Sequence, residues 1–455
     1  MSATPSRTDR ALSFALRPFA KVEAGEAVTA TVLTFTVFLL LTAYYLLKTA
    51  REPLILLHGG AEVKSYAAAG QAVLLLIFVQ VYGSVARRVG RMRLLLAVYL
   101  FFASNLLVFA ALARTSFPVA VPFYLWVGVY NYTSIAQFWA YASDVYTPEQ
   151  GKRLFAVLGI GSSVGAVAGA QIAKSLVPFG PQALMLGAAI LLIICCGMLI
   201  WVNARIGTPD PAAHAKPDEA DVKPLANESA FSLLMHDKYL ILIAALTLLI
   251  NWVNSNGEYI LDKTLLAAVV SSANHADAMT FIGKFKAEYF EYVNLLGVLL
   301  QLFAVSRILD KLGVRAALFF LPVVAFGGYT LMLVAPVLSL IRVAKVAENS
   351  IDYSVQNTAR QALYLMATRV EKYVGKTAVD TFFVRLGDVF SAGVVWIGTR
   401  LALSTPVFAG INLGLIVIWL LLVVAVGREH RRREGELAPP NADGSGPAGL
   451  EPATP

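Results

Sequence analysis

Isolated charged side chains interrupt stretches of this sequence that are otherwise apolar. The segment FWAYASDVYTPEQGKR places Asp144 directly after an aromatic run, and the segment YYLLKTAREPLIL contains Lys48 and Arg51. An ionised group inside a hydrocarbon layer is costly unless it meets a partner or water. Charges in such positions therefore indicate either internal ion pairs or a hydrated path for a charged solute.

A third stretch, VLSLIRVAKVAENSIDYSVQNTARQALYLM, concentrates charge on one side of a predicted helix. At 100° per residue its charged positions fall within an arc of roughly 120°, so they share one face. These positions are Arg342, Lys345, Glu348, Asp352 and Arg360. The face either pairs with neighbouring helices or lines a central water-filled path. Guanidinium and ammonium groups suit phosphate or carboxylate oxygens, so the excess of Lys and Arg favours an anionic substrate.

The composition defines the class of protein that carries these charges. The chain has 455 residues, of which 58% are hydrophobic and only 15% charged, with a mean hydropathy of +0.67. So few charges could not cover the surface of a soluble protein of this length. Apolar segments of about 20 residues recur, and each can cross about 30 Å of hydrocarbon. We predict an all-α polytopic membrane protein.

The same composition excludes several functions. The net charge of +8 needs no nucleic acid, because membrane proteins keep Lys and Arg in their cytoplasmic loops. Two adjacent cysteines, Cys195 and Cys196, offer neither a disulfide framework nor a metal site. The sequence has no nucleophile–base pair and no phosphate-cradling loop. We therefore expect no enzyme, no cofactor and no bound metal.

Twelve transmembrane helices can be placed, in two bundles of six. The predicted spans are 27–47, 64–86, 94–114, 118–146, 152–175, 181–204, 238–261, 287–306, 314–335, 337–366, 377–401 and 404–426. They divide the chain into an N-terminal tail (1–26), an N-terminal bundle (27–204), a linker rich in Pro and charge (205–237), a C-terminal bundle (238–426) and a disordered tail (427–455). Loops on one side hold most of the 37 Lys and Arg, which predicts an inner-membrane protein with both termini in the cytoplasm.

An internal repeat relates the two bundles. The loop GSVARRVGRMR matches SRILDKLGVR, and their glycines, Gly90 and Gly313, lie 223 positions apart. The stretches beginning GKRLFAV and GKTAVD are separated by almost the same distance, from Gly151 to Gly375. Two places that agree on the offset indicate duplicated, parallel halves. This pseudo-symmetric arrangement resembles the major facilitator fold.

Four ordered motifs resemble the nucleotide transporter family, the ATP/ADP translocases of plastids and intracellular bacteria with their free-living bacterial relatives. The motifs are YYLLKTAREPLI (44–55), FWAYASDVYTPEQGKRLFAVLGIG (138–161), YSVQNTARQALYL (353–365) and GKTAVD (375–380). The resemblance implies that Arg51, Asp144 and Lys376 take the places of charged residues that matter for transport. In the seventh span, Asn254 and Glu258 stand where the family has an acid and then a lysine.

These arguments together give a set of expected site residues. We expect substrate to be bound by Lys48, Arg51, Lys345, Arg360, Lys376, Tyr132 and Asn357. We expect gating or coupling roles for Glu52, Asp144, Glu258, Asp380 and Arg385. In this hypothesis Lys376 binds substrate oxygens, and Asp144 forms an ion pair that breaks as the halves rock.

The expected function is secondary transport of a nucleotide or a similar phosphorylated organic anion, by exchange or by ion-coupled uptake. Two alternatives stay open. One is a facilitator-fold transporter of an unrelated organic anion or a lipid. The other is a membrane scaffold or sensor whose buried charges only pair with each other. The expected partners are the anionic substrate and the lipid bilayer, and nothing in the sequence requires more than one copy of the chain.

Overall fold

The structure is a computed structural model that describes residues 12–13, 22–23, 25–86, 88–206, 237–271, 277–367, 375–376 and 379–437. Every regular element in these residues is a helix. The α-helices are α1 (Ala27–Ala86), α2 (Arg91–Leu112), α3 (Ala120–Val145), α4 (Pro148–Leu176), α5 (Pro181–Ile206), α6 (Lys238–Ser271), α7 (Ala278–Leu300), α8 (Ser306–Val334), α9 (Leu338–Ile351), α10 (Asn357–Leu363), α11 (Val384–Arg400) and α12 (Thr405–Leu437).

Short irregular turns join some of these helices. Three π-helical turns follow α7, separate α9 from α10 and precede α11; they are Gln301–Val305, Asp352–Gln356 and Val379–Phe383. Two 3₁₀ turns, Val177–Phe179 and Tyr364–Met366, follow α4 and α10. A π turn holds one extra residue, so it changes the direction in which the following side chains point.

Glycines break the two longest helical stretches. At 60 residues, α1 would measure about 90 Å if straight, three times the hydrocarbon thickness. Gly60 adopts φ 75°, a left-handed conformation that glycine reaches without a Cβ clash. The chain turns back there, and this brings Lys64 Nζ to 2.5 Å from Glu52 Oε2. Gly313, with φ 78°, breaks α8 in the same way.

The predicted all-α membrane fold is confirmed. Eight helical segments of the described residues are long and apolar enough to cross a membrane. Two of them, Ala27–Phe78 and Ala278–Val334, contain a glycine break and supply two crossings each. The more polar α3 and the α9–α10 stretch complete twelve spans. These spans form two pseudo-symmetric halves of six, as the repeat predicted.

Some predicted boundaries differ from the observed helices. α7 begins at Ala278, well before the predicted start of its span at 287, and α12 continues to Leu437, past the predicted end at 426. The first part of the predicted disordered tail is therefore helical. Most of the N-terminal tail, residues 207–236 of the predicted linker and residues after 437 lie outside the described residues. The domain division stays a prediction.

The two halves meet along a central seam. α1 contacts α6, α7 and α11 of the C-terminal half, and α4 contacts α7. Consecutive spans are antiparallel. One end of the bundle therefore holds the Gly60 break, the C-termini of α4 and α6 and the start of α7. We call this the Gly60 end and the opposite one the Gly90 end. In the described residues, the two ends differ in the ion pairs that join the halves, which lie toward the Gly60 end.

Within the N-terminal half, small residues let α1 and α4 approach closely. A Cβ on Gly165 would lie 2.4 Å from the Phe38 carbonyl oxygen, and Gly161 and Gly169 face the α1 backbone in the same way. Thr42 donates a hydrogen bond of 3.3 Å to the Gly165 carbonyl. Glycines four residues apart thus bring two helices together, as in other membrane proteins.

Replacing Gly165 by alanine therefore forces α1 and α4 apart. We expect Gly165→Ala to lower the free energy of unfolding by about 1–3 kcal/mol, the usual result of overpacking. Thermal unfolding in detergent measures the change. Gly159→Ala on the same helix is the matched control, because a Cβ there meets nothing within 4 Å. Equal stability of the two variants would contradict the close approach.

Candidate substrate site between the two halves

A polar cavity of about 250 Å³ lies on the seam between the halves. The N-terminal half lines it with Lys48 and Arg51 of α1 and with Tyr124 of α3. The C-terminal half contributes Glu258 of α6 and Arg385 of α11. Because both halves build the wall, any movement of one half against the other must change the shape of this cavity.

The Gly60 side of the cavity is closed by buried ion pairs. Glu52, with 1% of its surface exposed, accepts from Lys64 at 2.5 Å and from Arg51 at 3.2 Å. Lys64 also donates to Asp262 Oδ2 on α6, at 2.7 Å. This Lys64–Asp262 pair joins the two halves directly.

A second lysine completes the cluster. Lys286 of α7 is fully buried, and its Nζ lies 2.5 Å from Asp262, 3.6 Å from Glu52 and 3.7 Å from Glu258. We call the six residues the inter-half charge network; they are Arg51, Glu52, Lys64, Glu258, Asp262 and Lys286. Its three cations and three carboxylates balance. Balance is required because a buried charge without a partner costs several kcal/mol.

The charges of the network are unevenly divided between the halves. The N-terminal half holds two cations and one carboxylate, and the C-terminal half holds two carboxylates and one cation. The halves therefore attract each other with opposite net charges. Lys174 of α4 adds another contact, 2.9 Å from Glu288 of α7. Among the described residues, every ion pair between the halves lies toward the Gly60 end.

Three cations face the cavity from two sides. Lys48 Nζ lies 4.1 Å from the centre of the Phe290 ring, and no carboxylate of the described residues is within ion-pair distance of it. The Arg51 guanidinium stacks 4.5 Å above Tyr124. Across the seam, Arg385 pairs with Asp388 at 3.2 Å. Cations that rest on aromatic rings can bind an anion while the rings contact an apolar or aromatic group.

The structure brings five of the expected site residues to this cavity. Lys48, Arg51, Glu52, Glu258 and Arg385 all line it. Asn254 lines it as well.

Lys345, expected to bind substrate, lies behind the cavity wall. It is fully buried, and its Nζ is 2.8 Å from Asn254 Oδ1 and 3.0 Å from Glu348 Oε2. Arg342, three residues earlier, contacts Glu288 of α7 instead. On α9, Arg342 thus pairs with a neighbouring helix, and Lys345 and Glu348 pair with each other. The π turn after α9 then redirects the residues that follow.

Other expected residues lie toward the Gly90 end or outside the cavity. Lys376 stacks 5.7 Å from the centre of the Tyr364 ring, near the point where Arg360 and Asp380 also lie. Asn357 lines a second seam cavity of about 350 Å³. Tyr132 is 41% exposed and lines neither cavity.

Asp144 pairs with Arg91 of α2, a residue of the same half. The pair lies within one half in this conformation, and the gating role of Asp144 stays a prediction. The reason for the pairing is local geometry, since α3 ends beside the start of α2 at the Gly90 end.

Sequence reasoning missed the two lysines at the centre of the network. Lys64 is the first residue of one predicted span (64–86), and Lys286 lies just outside another (287–306). The helices begin earlier and carry both side chains into the interior. A longer window of helical periodicity across residues 278–300 would have placed Lys286 inside the span.

Solved structures confirm the class of the fold, a helical membrane protein of the major facilitator type. The nucleoside transporter NupG superposes with a TM-score of 0.64 at 12% identity, over 88% of this chain and 98% of that one. A POT family transporter superposes with a TM-score of 0.62 at 11% identity, over 89% and 96%.

Sequence comparison identifies the family. Residues 121–430 match the profile of the TLC ATP/ADP transporters, and because this region is more than half of the sequence, the chain belongs to that family. ADP,ATP carrier protein 1 of Chlamydia pneumoniae is 23% identical over 332 residues, 62% of each chain. The protein of the same name from Chlamydia trachomatis is 22% identical over 328 residues, 62% of this chain and 60% of that one. The alignments thus span less than two thirds of these relatives.

The buried network gives a stability prediction. Lys286→Met leaves Glu258 without an ion-pair partner among the described residues and Asp262 with Lys64 alone, so we expect a loss of roughly 3–5 kcal/mol of unfolding free energy. Adding Asp262→Asn restores the charge balance and recovers part of the loss. Thermal unfolding of both variants is compared with Lys284→Met, an exposed neighbour on the same helix. A Lys286→Met protein as stable as Lys284→Met would contradict the network.

Proposed function

We propose that this protein is a secondary transporter that moves a nucleotide or a similar phosphorylated organic anion by alternating access. The observation that carries the proposal is the seam cavity, in which Lys48 and Arg51 face Arg385 from the other half. Phosphate oxygens find their preferred partners there, and Tyr45, 5.3 Å from Lys48 Nζ, offers a ring surface. Membership of the TLC family and the names of the chlamydial relatives support the same substrate class.

We place the protein in the inner membrane. The charge distribution of its loops supports an orientation with both termini in the cytoplasm. In that orientation the Gly60 end faces away from the cytoplasm. The inter-half charge network then closes the external side of the cavity.

The network also supports a reversible gate. If the Gly60 end opens, Lys64 keeps Glu52 within its own half, and Lys286 keeps Asp262 within the other. Each carboxylate that loses a partner across the seam therefore keeps a cation of its own half. Separation breaks the ion pairs between the halves but leaves each of these carboxylates with a counter-charge.

Residues at the Gly90 end fit the opposite conformation. When the external side opens, the cytoplasmic side must close, and this movement brings α3 toward α10 and α11. We propose that Asp144, Lys376 and Asp380 act there, in closing the path rather than in the central cavity. Arg360 and Asn357 belong to the same region, and Asn357 already lines the second seam cavity.

Purified protein in liposomes tests the proposal. We expect uptake of labelled ATP or ADP, and at least a tenfold fall in Lys48→Met, since one charge-assisted contact to substrate is worth about 1.5–3 kcal/mol. Lys284→Met is the matched control, because it removes an exposed lysine without touching the cavity. Uptake by Lys48→Met equal to the control would contradict the assigned cavity.

The same assay separates the substrate classes. The second candidate function is transport of an unrelated organic anion or a lipid, and transport of such an anion without competition by nucleotides would favour it. This candidate is worth testing because Glu258 stands where the family resemblance places a lysine. Failure of every labelled anion to cross, with a folded protein, would favour a non-transporting role.

Lys376→Ala and Asp144→Asn are expected to slow turnover with little change in apparent affinity, because both residues lie outside the cavity.

A further inference from the structure

A second, apolar groove lies between α7 and α9 and shares no lining residue with the central cavity. Its volume is about 890 Å³. Its walls are apolar and include Leu295, Leu296 and Leu299 of α7 and Val343 and Val346 of α9. Several of these side chains are well exposed, with Val343 at 67%. We call this surface the α7–α9 groove.

The length of the groove matches one leaflet of a bilayer. It runs along α7 from Phe285 to Leu299, which corresponds to about 21 Å of helix. A bilayer with its headgroup regions is about 40–45 Å thick, so one leaflet contributes about 20–22 Å. Because Glu288 lies nearer the Gly60 end, the apolar wall extends from that membrane surface toward the middle of the bilayer.

Charged residues lie at the outer end of the groove. Arg342 sits in the second turn of α9, 2.9 Å from Glu288 Oε2, and its guanidinium is 5.0 Å and 5.3 Å from the centres of the Phe285 and Tyr292 rings. Lys174 binds the other oxygen of the same Glu288 carboxylate at 2.9 Å. Two cations thus share the Glu288 carboxylate.

The next acidic residue of α7 does not belong to the groove. Glu291 lies beside Gln171 of α4, whose amide nitrogen, in its donating orientation, is 2.7 Å from a Glu291 oxygen. Arg342 is therefore the cation that the groove itself presents, with 22% of its side chain exposed. A guanidinium on aromatic rings at the membrane surface, above an apolar channel, suits a phosphate group attached to an acyl chain.

We propose that the α7–α9 groove binds a glycerophospholipid of the leaflet at the Gly60 end, with its phosphate on Arg342 and an acyl chain along the leucine wall. A bound phosphate competes with Glu288 for Arg342. Glu288 then relies on Lys174, which belongs to the other half. Occupancy of the groove therefore favours the closed Gly60 end.

Native mass spectrometry of delipidated protein tests the site. The probe is a phosphatidylglycerol, compared with a diacylglycerol that has the same acyl chains and with inorganic phosphate. We expect the phosphatidylglycerol to bind at least tenfold more tightly than the diacylglycerol, as a charge-assisted hydrogen bond implies. We expect inorganic phosphate not to compete at comparable concentration. Equal binding of diacylglycerol, or equal competition by free phosphate, would overturn the proposal.

Two variants locate the binding. Arg342→Gln removes the phosphate contact, and Val343→Trp fills the groove; each is expected to weaken phosphatidylglycerol binding about tenfold or more. Their controls are Arg400→Gln, an exposed arginine stacked on Trp396 near the same membrane surface, and Val417→Trp, on the exposed face of α12. Binding that falls equally in variants and controls, or in none of them, would overturn the assignment.

Discussion

The attraction between oppositely charged halves across the central seam holds the rest of the structure in this conformation. Lys64 reaches from one half to Asp262 of the other, and Lys286 is buried among three carboxylates. In a low-dielectric interior such pairs are strong only when all charges are matched. The network is matched as a whole and unmatched within each half, which makes it a contact that holds the halves together and can also separate.

The fold explains why these charges can be tolerated. Glycine at positions 161, 165 and 169 packs α4 tightly on α1, and Lys345 with Glu348 supports α6 from behind through Asn254. Each half is therefore internally well packed. Such packing suits the proposed alternating access, in which two bundles rock against each other.

Much of the fold was readable from the sequence, because apolar length, loop charge and the repeat around Gly90 and Gly313 are global signals. The site was readable only in part. Lys48, Arg51 and Glu258 could be placed in the cavity because they interrupt apolar runs. Lys286 could not, since a span boundary wrong by about two turns moved it to the surface. The role of Lys345 depended on which helix it faces, which periodicity along one helix does not specify.

The most direct test of the central claim is a distance measurement across the seam. Spin labels at Ser175 and Lys284 report the separation of α4 and α7 at the Gly60 end. The double variant Lys64→Met/Asp262→Asn removes the direct pair and keeps the network balanced. We expect a short distance in the native protein and a clearly longer or broader distribution in the double variant. An unchanged distribution would contradict the claim that these charges hold the halves together.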